Sequence, residues 1–326
     1  MIEMPISTRL TDSLEDMRLT AILYGAESTN LYEFRPAGGG AVRAFTCGAH
    51  VDLHLPDGTI RQYSIASPQA ARDHYLLGIK REDSGRGGSR WVHEALKVGT
   101  TLKVGAPRNH FPLIEDGSPV VFIAGGIGVT PLRSMLDRAR EIGLDWRLYY
   151  AFRARGDAAF LAELEELGDR VQVHADDEQG RAIGLAAIVA AAPRDAHLYC
   201  CGPAPMLDAF EAIAAETGFP AVQIHVERFS ADPPPRTMTG FVVELARSGV
   251  EIMVAPGQTI LECARAIGLP VEASCEQGIC GACETRVLAG APDHQDKILT
   301  EAERLSNETM MICCSGSLTG RLKLDL

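Results

Sequence analysis

Near the end of this chain runs Cys275-Glu-Gln-Gly-Ile-Cys280-Gly-Ala-Cys283, and after 29 more residues comes Cys313. Thiols at x4 and x2 spacing with a distant fourth match the plant-type pattern that holds a [2Fe–2S] cluster through four thiolates. Three of them can reach one small cluster only if the backbone between them curls tightly. Gly278 and Gly281 permit that curl, which also turns backbone N–H groups toward sulfur. The rival metal is zinc. Zinc sites pair CxxC with a second CxxC or with histidines, whereas this stretch has one CxxC and its fourth thiol is flanked by Ile312 and Cys314. The metal ligands expected are therefore Cys275, Cys280, Cys283 and Cys313.

A length of 326 residues points to two or three domains. The net charge of −12 argues against nucleic acid or an anionic membrane surface as partner. Nine cysteines, two pairs of them adjacent in sequence, suit reduced thiols and a cytosolic setting rather than a disulfide framework. The N-terminus carries no signal-peptide core, and the longest uncharged run, Gly117–Leu132, is too short and too rich in glycine and proline to span a bilayer.

Residues 1–114 read as a β-rich domain, with strands at Asp16–Tyr24, Asn30–Arg35, His50–Leu55, Gln62–Ile65 and His74–Lys80. Asp57-Gly58 marks a hairpin, and one short helix is expected at Trp91–Leu96. A small antiparallel barrel follows. Within it, strand alternation puts Arg61 and Tyr63 on one face and Gln62 and Ser64 on the other, a cation and an aromatic plane for one ligand. Arg86-Gly87-Gly88-Ser89, with Ser89 as the expected N-cap, offers the N–H groups of a helix start to an anion. With Arg61 and Tyr63 in the same barrel, this reads as a flavin phosphate site.

Residues 115–229 alternate strands and helices. Val120–Ala124 leads through Gly125-Gly126-Ile127-Gly128-Val129-Thr130-Pro131 into a helix, with Thr130 as expected N-cap and Pro131 first inside. Further strands are expected at Trp146–Phe152, Val171–His174, His197–Cys201 and Ile224–Phe229, separated by helices near 158–167, 185–191 and 204–217. That rhythm means a doubly wound parallel sheet whose ligands bind beyond the carboxyl ends of its strands. Two glycine turns, at Gly125–Pro131 and at Cys201-Gly202-Pro203, are placed to clamp one dinucleotide. Arg153 and Arg155 fit either a 2′-phosphate contact or ordinary surface. A Pro-rich linker over 230–237, centred on Pro233-Pro234-Pro235, separates the last domain, 238–326. There, strands at Gly240–Ala246, Glu251–Val254, Glu284–Leu288 and Met310–Cys313 and a helix after Thr259 suggest a mixed sheet. Cys263 reads as core, and His294 and the acidic segment 293–303 as surface or supporting residues. The mildly acidic face suits either a basic partner or plain solvation.

In their order, Arg61-Gln62-Tyr63-Ser64, Gly87-Gly88-Ser89, Gly125–Pro131, Cys201-Gly202-Pro203 and the C-terminal thiols resemble phthalate dioxygenase reductase. That family comprises flavin- and ferredoxin-containing reductases serving Rieske-type non-haem iron oxygenases. The resemblance covers nearly the whole chain. It implies a multidomain protein: an antiparallel β-barrel flavin domain, an α/β doubly wound parallel-sheet nucleotide domain and an α+β plant-type ferredoxin domain of β-grasp type. It further implies that Arg61 with Arg86, Gly87, Gly88 and Ser89 binds FMN phosphate, that Tyr63 packs on the isoalloxazine, and that Gln62 belongs to the same site. Ser64 would sit near N5 with Glu227 beside the reacting ring, as the catalytic pair. Gly78, Ile79 and Lys80 would flank the ring edge, Thr130 and Phe229 close the flavin site, and Gly126, Gly128, Cys201, Gly202 and Pro203 line the nicotinamide site. FMN rather than FAD, NADH rather than NADPH, a Rieske oxygenase partner and a cytoplasmic monomer are what the resemblance implies; spacing alone does not choose the flavin. A stand-alone NAD(P)H oxidase or redox sensor is the alternative.

Overall fold

The structure is a computed structural model and describes residues 14–326 apart from Ser84, Arg86 and 231–238. It divides into two compact units, 1–229 and 230–326. The expected linker at 230–237 lies, Ser230 excepted, outside the described residues.

The first unit opens with β1 (Glu15–Ala26), β2 (Thr29–Pro36), β3 (His50–His54), β4 (Ile60–Ser64), β5 (Tyr75–Lys80), α1 (Gly88–Ala95) and β6 (Thr101–Val104). These strands form one antiparallel sheet in the order β4-β3-β6-β1-β2-β5. The sheet closes on itself where Ile65 bridges Leu77 and the Ala66 N–H donates to Leu76 O at 2.8 Å. Closure leaves no long open edge and buries Met17, Leu19, Phe34, Val51, Leu53, Leu77 and Ile79 inside. The β3–β4 hairpin turns at Asp57-Gly58, as expected. Gly58 takes φ +84°, and Asp57 Oδ1 accepts from the Thr59 N–H at 2.8 Å. Strand β6 is an addition to the expected set.

The parallel part follows: β7 (Val120–Gly125), α2 (Val129–Glu141), β8 (Trp146–Phe152), α3 (Leu161–Glu165), β9 (Val171–Ala175), α4 (Asp176–Gln179), α5 (Leu185–Ala191), β10 (His197–Cys201), α6 (Ala204–Glu216) and β11 (Ile224–Glu227). Its sheet order is β11-β10-β7-β8-β9, with every pairing parallel. Strand β7 is buried throughout, which is why it reads as a continuous apolar run. α2 and α3 cover one face, where Phe122, Leu132, Met135 and Tyr150 pack. α5 and α6 cover the other, where Ile123, Ile188, Leu198 and Phe210 pack. The order reverses between β7 and β10, the switch point where open α/β sheets take ligands.

The second unit holds β12 (Phe241–Leu245), β13 (Val250–Val254), α7 (Ile260–Ala266), β14 (Glu284–Ala289), β15 (Pro292–Asp293), α8 (Glu301–Ser306), β16 (Thr309–Met311), β17 (Gly316–Ser317) and β18 (Arg321–Leu324). Its five-stranded sheet runs β13-β12-β18-β14-β16, and only β12 with β18 is parallel. The central β18 and the helix α8 add to the expected elements. Both helices start at capping boxes: Thr259 with Glu262, and Thr300 with Glu303. Among the described residues no helix is long and apolar enough to cross a membrane.

Candidate functional site

In the first unit the expected catalytic pair does meet. Ser64 ends β4 and Glu227 ends β11, and the two side chains hydrogen-bond across the gap between barrel and parallel sheet. Glu227 is only half-buried as a residue, yet its Oε2 is enclosed and accepts no hydrogen bond. The atom-level enclosure governs its chemistry: burial pushes the carboxyl up from 4.5 to about 8, against the opposing Ser64 hydrogen bond.

Glycines let backbone close around this point. A Cβ on Gly128 would stand 2.2 Å from Cys201 O, and one on Gly125 would stand 3.1 Å from Gly202 Cα. The two glycine turns therefore touch. Met206 Sδ packs against both. Gly126, at φ +53°, has nothing within 4 Å of where a Cβ would point, so its outer face is open to a ligand. Thr130 is not the N-cap of α2. A 3₁₀ turn at Gly126–Gly128 brings the helix start forward, leaving Thr130 in the first turn, where its hydroxyl donates to Ile127 O at 2.9 Å. Pro131 is then third in the helix rather than first, still at a position where an N–H would have no intrahelical partner. Thr130 Cγ2 fills the space over Gly78, 2.6 Å from the site of a Cβ there.

The expected phosphate cradle assembles as well. Gly88 lies on Arg61: a Cβ would fall 2.3 Å from Nε. The N-cap of α1 is Gly87, at φ +85°, with no side-chain cap. This corrects Ser89, which lies inside the helix with its Oγ accepting from the Glu82 N–H at 3.0 Å. An uncapped start without acidic residues in its first turn keeps N–H groups available to an anion beside the Arg61 guanidinium. Arg86 lies outside the described residues. His93 was not foreseen: its Nε2 meets Ile79 O at 2.8 Å and ties α1 to β5. Tyr63 is tucked against the barrel core, and burial raises its phenol. Gln62 Nε2 is buried without a hydrogen-bond partner. Lys80 pairs with Glu82 at 3.6 Å. Phe229 is 44% exposed and follows β11 rather than ending it. These groups fit a flavin mononucleotide: a cradle for its phosphate, an aromatic wall, and an orphaned amide and carboxyl for polar ring atoms.

In the second unit all four expected ligands are buried. Among the described residues no three His, Cys, Asp or Glu side chains surround one single-ion position. The thiols instead meet in pairs, Cys275 with Cys280 and with Cys313, and Cys283 with Cys313. Neighbouring thiol and burial both drive Cys280 and Cys283 far up, so without a metal these sulfurs stay protonated. Iron overrides that preference by binding thiolate directly. Backbone N–H groups point at sulfur as the loop reading requires: Gln277 N–H reaches Cys275 Sγ at 3.3 Å, with Ile279 N–H also directed at Cys275 and Ala282 N–H at Cys280. Gly278 and Gly281 both take φ +70°. A side chain at Gly278 would strike Cys314 Sγ at 2.6 Å. The residues fit a [2Fe–2S] cluster.

Asp296 is no surface acid. Its side chain is 0% exposed, and Oδ2 accepts from the N–H groups of Ile298 and Leu299 at 3.2 and 2.8 Å. The Lys297 N–H holds Gly278 O at 2.8 Å, so this turn braces the thiol loop. His294 is half-buried beside it, Nδ1 to Asp296 Oδ1 at 3.7 Å. Cys263 is half-buried, with Sγ 3.9 Å from Met253 O, consistent with a packing role.

Comparison with known proteins gives two family matches, a 2Fe-2S iron-sulfur cluster binding domain over 243–316 and an oxidoreductase NAD-binding domain over 122–212. Phenoxybenzoate dioxygenase subunit beta of Ectopseudomonas oleovorans is 49% identical over 98% of this chain and 100% of its own length. The solved structure of phthalate dioxygenase reductase, described as modular for electron transfer from pyridine nucleotides to [2Fe-2S], aligns with a TM-score of 0.72. The identity is 31%, over 97% of this chain and 99% of that one. An intact type IV self-sufficient cytochrome P450 monooxygenase aligns with a TM-score of 0.87 at 36% identity, covering 96% of this chain. This chain spans 41% of that larger protein.

Proposed function

Because the chain belongs to the phthalate dioxygenase reductase family of flavin- and [2Fe–2S]-containing oxidoreductases, we propose that its first unit collects electrons from NADH and its second delivers them to a Rieske-type oxygenase. The division proposed is a flavin domain over 1–114, a nucleotide domain over 115–229 and a ferredoxin domain over 238–326. The chain works as a cytoplasmic monomer. When bound, FMN would supply two-electron hydride acceptance and one-electron release, and a [2Fe–2S] cluster would supply one-electron relay.

The protein's part is to hold, orient and set charge. Arg61 and the α1 start grip the phosphate end, and Tyr63 backs the ring. The turns at Gly126–Gly128 and Cys201–Pro203 present bare backbone to the nicotinamide, fixing its distance from the flavin. The Ser64–Glu227 pair carries the reading. With its carboxyl pushed up to about 8, Glu227 is neutral at pH 7 and shares a hydrogen bond with Ser64. A neutral acid at that point adds no negative charge where an electron pair arrives, whereas an ionised one would oppose it. Cys275, Cys280, Cys283 and Cys313 hold the irons.

The test is direct. Purified protein should contain FMN, iron and inorganic sulfide, and NADH should reduce ferricyanide and cytochrome c. A Rieske oxygenase component should raise NADH turnover in the presence of its organic substrate. A colourless preparation sinks the cofactor reading. A coloured one that reacts with NADH yet never drives any oxygenase favours the stand-alone oxidase instead.

A further inference from the structure

The turn after β8 carries Arg153 and Arg155. An extended dinucleotide with its nicotinamide at the β7–β10 switch runs over the carboxyl ends of β8 and β9, since the β11 end is taken by Ser64 and the flavin site. A guanidinium here would ordinarily welcome a 2′-phosphate. Arg155 is instead held from both sides: Nη1 meets Glu165 Oε1 and Nε meets Glu178 Oε1, each at 2.9 Å. The bonded carboxylates come from the end of α3 and from α4, so two separate elements converge on one side chain. Glu27 adds to them. Its N–H donates to Gly156 O at 2.8 Å, and its Oε1 lies 2.5 Å from where a Cβ of Gly156 would stand. Asp176 and Asp177 open α4, and the Asp177 N–H binds Arg153 O at 3.0 Å. The turn that could receive a phosphate is thus ringed with negative charge.

We propose that Glu165 and Glu178 set the dinucleotide preference of this protein by occupying Arg155, which leaves the adenosine end of the site suited to a free 2′-hydroxyl and hostile to a 2′-phosphate. The inference rests on the hydride-transfer reading above and adds to it a pair of specificity-determining residues. Neither glutamate needs to touch the nucleotide; both act through Arg155, which makes them positioning residues.

Glu165→Gln combined with Glu178→Gln, in the full-length holoprotein, releases Arg155 without changing side-chain size. The kcat/KM for NADPH should rise relative to that for NADH by about 10-fold, the scale of two exposed ion pairs. The gain should come through KM, with kcat for NADPH unchanged. Adding Arg155→Gln should abolish the gain, while adding Arg153→Gln should leave most of it. Flavin absorbance reports that each variant is loaded. A wild type that oxidises neither nucleotide overturns the hydride-transfer reading and this inference together. A wild type active with NADH whose double variant shows no gain for NADPH overturns the inference alone. So does a gain that survives Arg155→Gln, which would mark it as bulk electrostatics.

Discussion

The two units solve one problem, holding a redox group, in opposite ways. The first unit builds its site from distant pieces: Arg61 and Ser64 on β4, the α1 start, the turn after β7 and the end of β11. Each contributes one weak contact, and the site exists only when barrel and parallel sheet are both folded. The second unit concentrates its site in one loop plus one distant thiol, Cys275 to Cys283 and Cys313, with N–H groups of the same loop aimed at sulfur. A site spread over a fold binds by geometry, and any single side chain is dispensable at a cost. A site in one loop binds by bonds, and none of its ligands is.

The sharpest way to break that contrast is a ligand substitution. Cys283→Ser should abolish cluster assembly, read as loss of iron and of the cluster's visible absorption, while flavin content and NADH–ferricyanide activity persist. If flavin content falls in step, the two sites are not independent. Next in size is Gly128→Ala. Its Cβ would meet backbone, 2.2 Å from Cys201 O, so neither partner can move aside cheaply. A loss of about 3 kcal/mol in the stability of the first unit, measured by denaturant unfolding, is expected, with the second unit's transition unmoved. Gly78→Ala should cost less, because the atom in its way is the end of a side chain, Thr130 Cγ2.

The same contrast decides what the sequence could tell. The thiol loop was legible because its chemistry is local: spacing and two glycines nearly specify it. The parallel sheet was legible because β7 is an unbroken apolar run and β10 is apolar after His197. The joins were harder. Ser89 and Thr130 look like N-caps by residue type, but glycine turns move both helix starts two residues upstream. Strand β18 was missed although Arg-Leu-Lys-Leu alternates, because four residues at a chain end carry little signal, yet it lies at the centre of its sheet. Helix α8 was hidden in a segment read as surface or supporting residues. Its signal was the Thr300–Glu303 capping box, and the buried Asp296 shortly before it was charged for a reason composition does not show. That Ser64 and Glu227 touch was suggested by resemblance, since nothing in either local sequence points to the other.

A subtler difference lies in charge. Glu227 has a folded-state value near 8 against 4.5 unfolded, so between those limits the folded protein holds a proton that the unfolded chain has lost. The contribution is complete below 4.5 and declines as pH rises toward 8, the reverse of an ordinary paired carboxylate. Thermal melts of wild type should therefore fall across that window, and Glu227→Gln should flatten the fall. The Gln variant keeps a polar partner for Ser64 but cannot ionise, so NADH–ferricyanide activity should lose much of its decline on the alkaline side. An unchanged pH profile would remove Glu227 from the reacting end.

The smallest expected effect tests whether the loop site depends on its surroundings at all. Thr259 caps α7, its Oγ1 accepting from the Glu262 N–H at 3.1 Å while Glu262 Oε2 accepts from the Thr259 N–H at 2.9 Å. Helix α7 ends shortly before the thiol loop, and its Leu261 N–H reaches Ile312 O, one residue ahead of the fourth ligand, at 3.1 Å. Thr259→Ala should cost about 1 kcal/mol in the second unit. If the cluster is held by its own loop, iron content and the reduction potential should stay at their wild-type values despite that loss. A shift in potential on uncapping α7 would mean that the Ile312 contact positions Cys313, and that the loop site is tied to its fold as the dispersed one is.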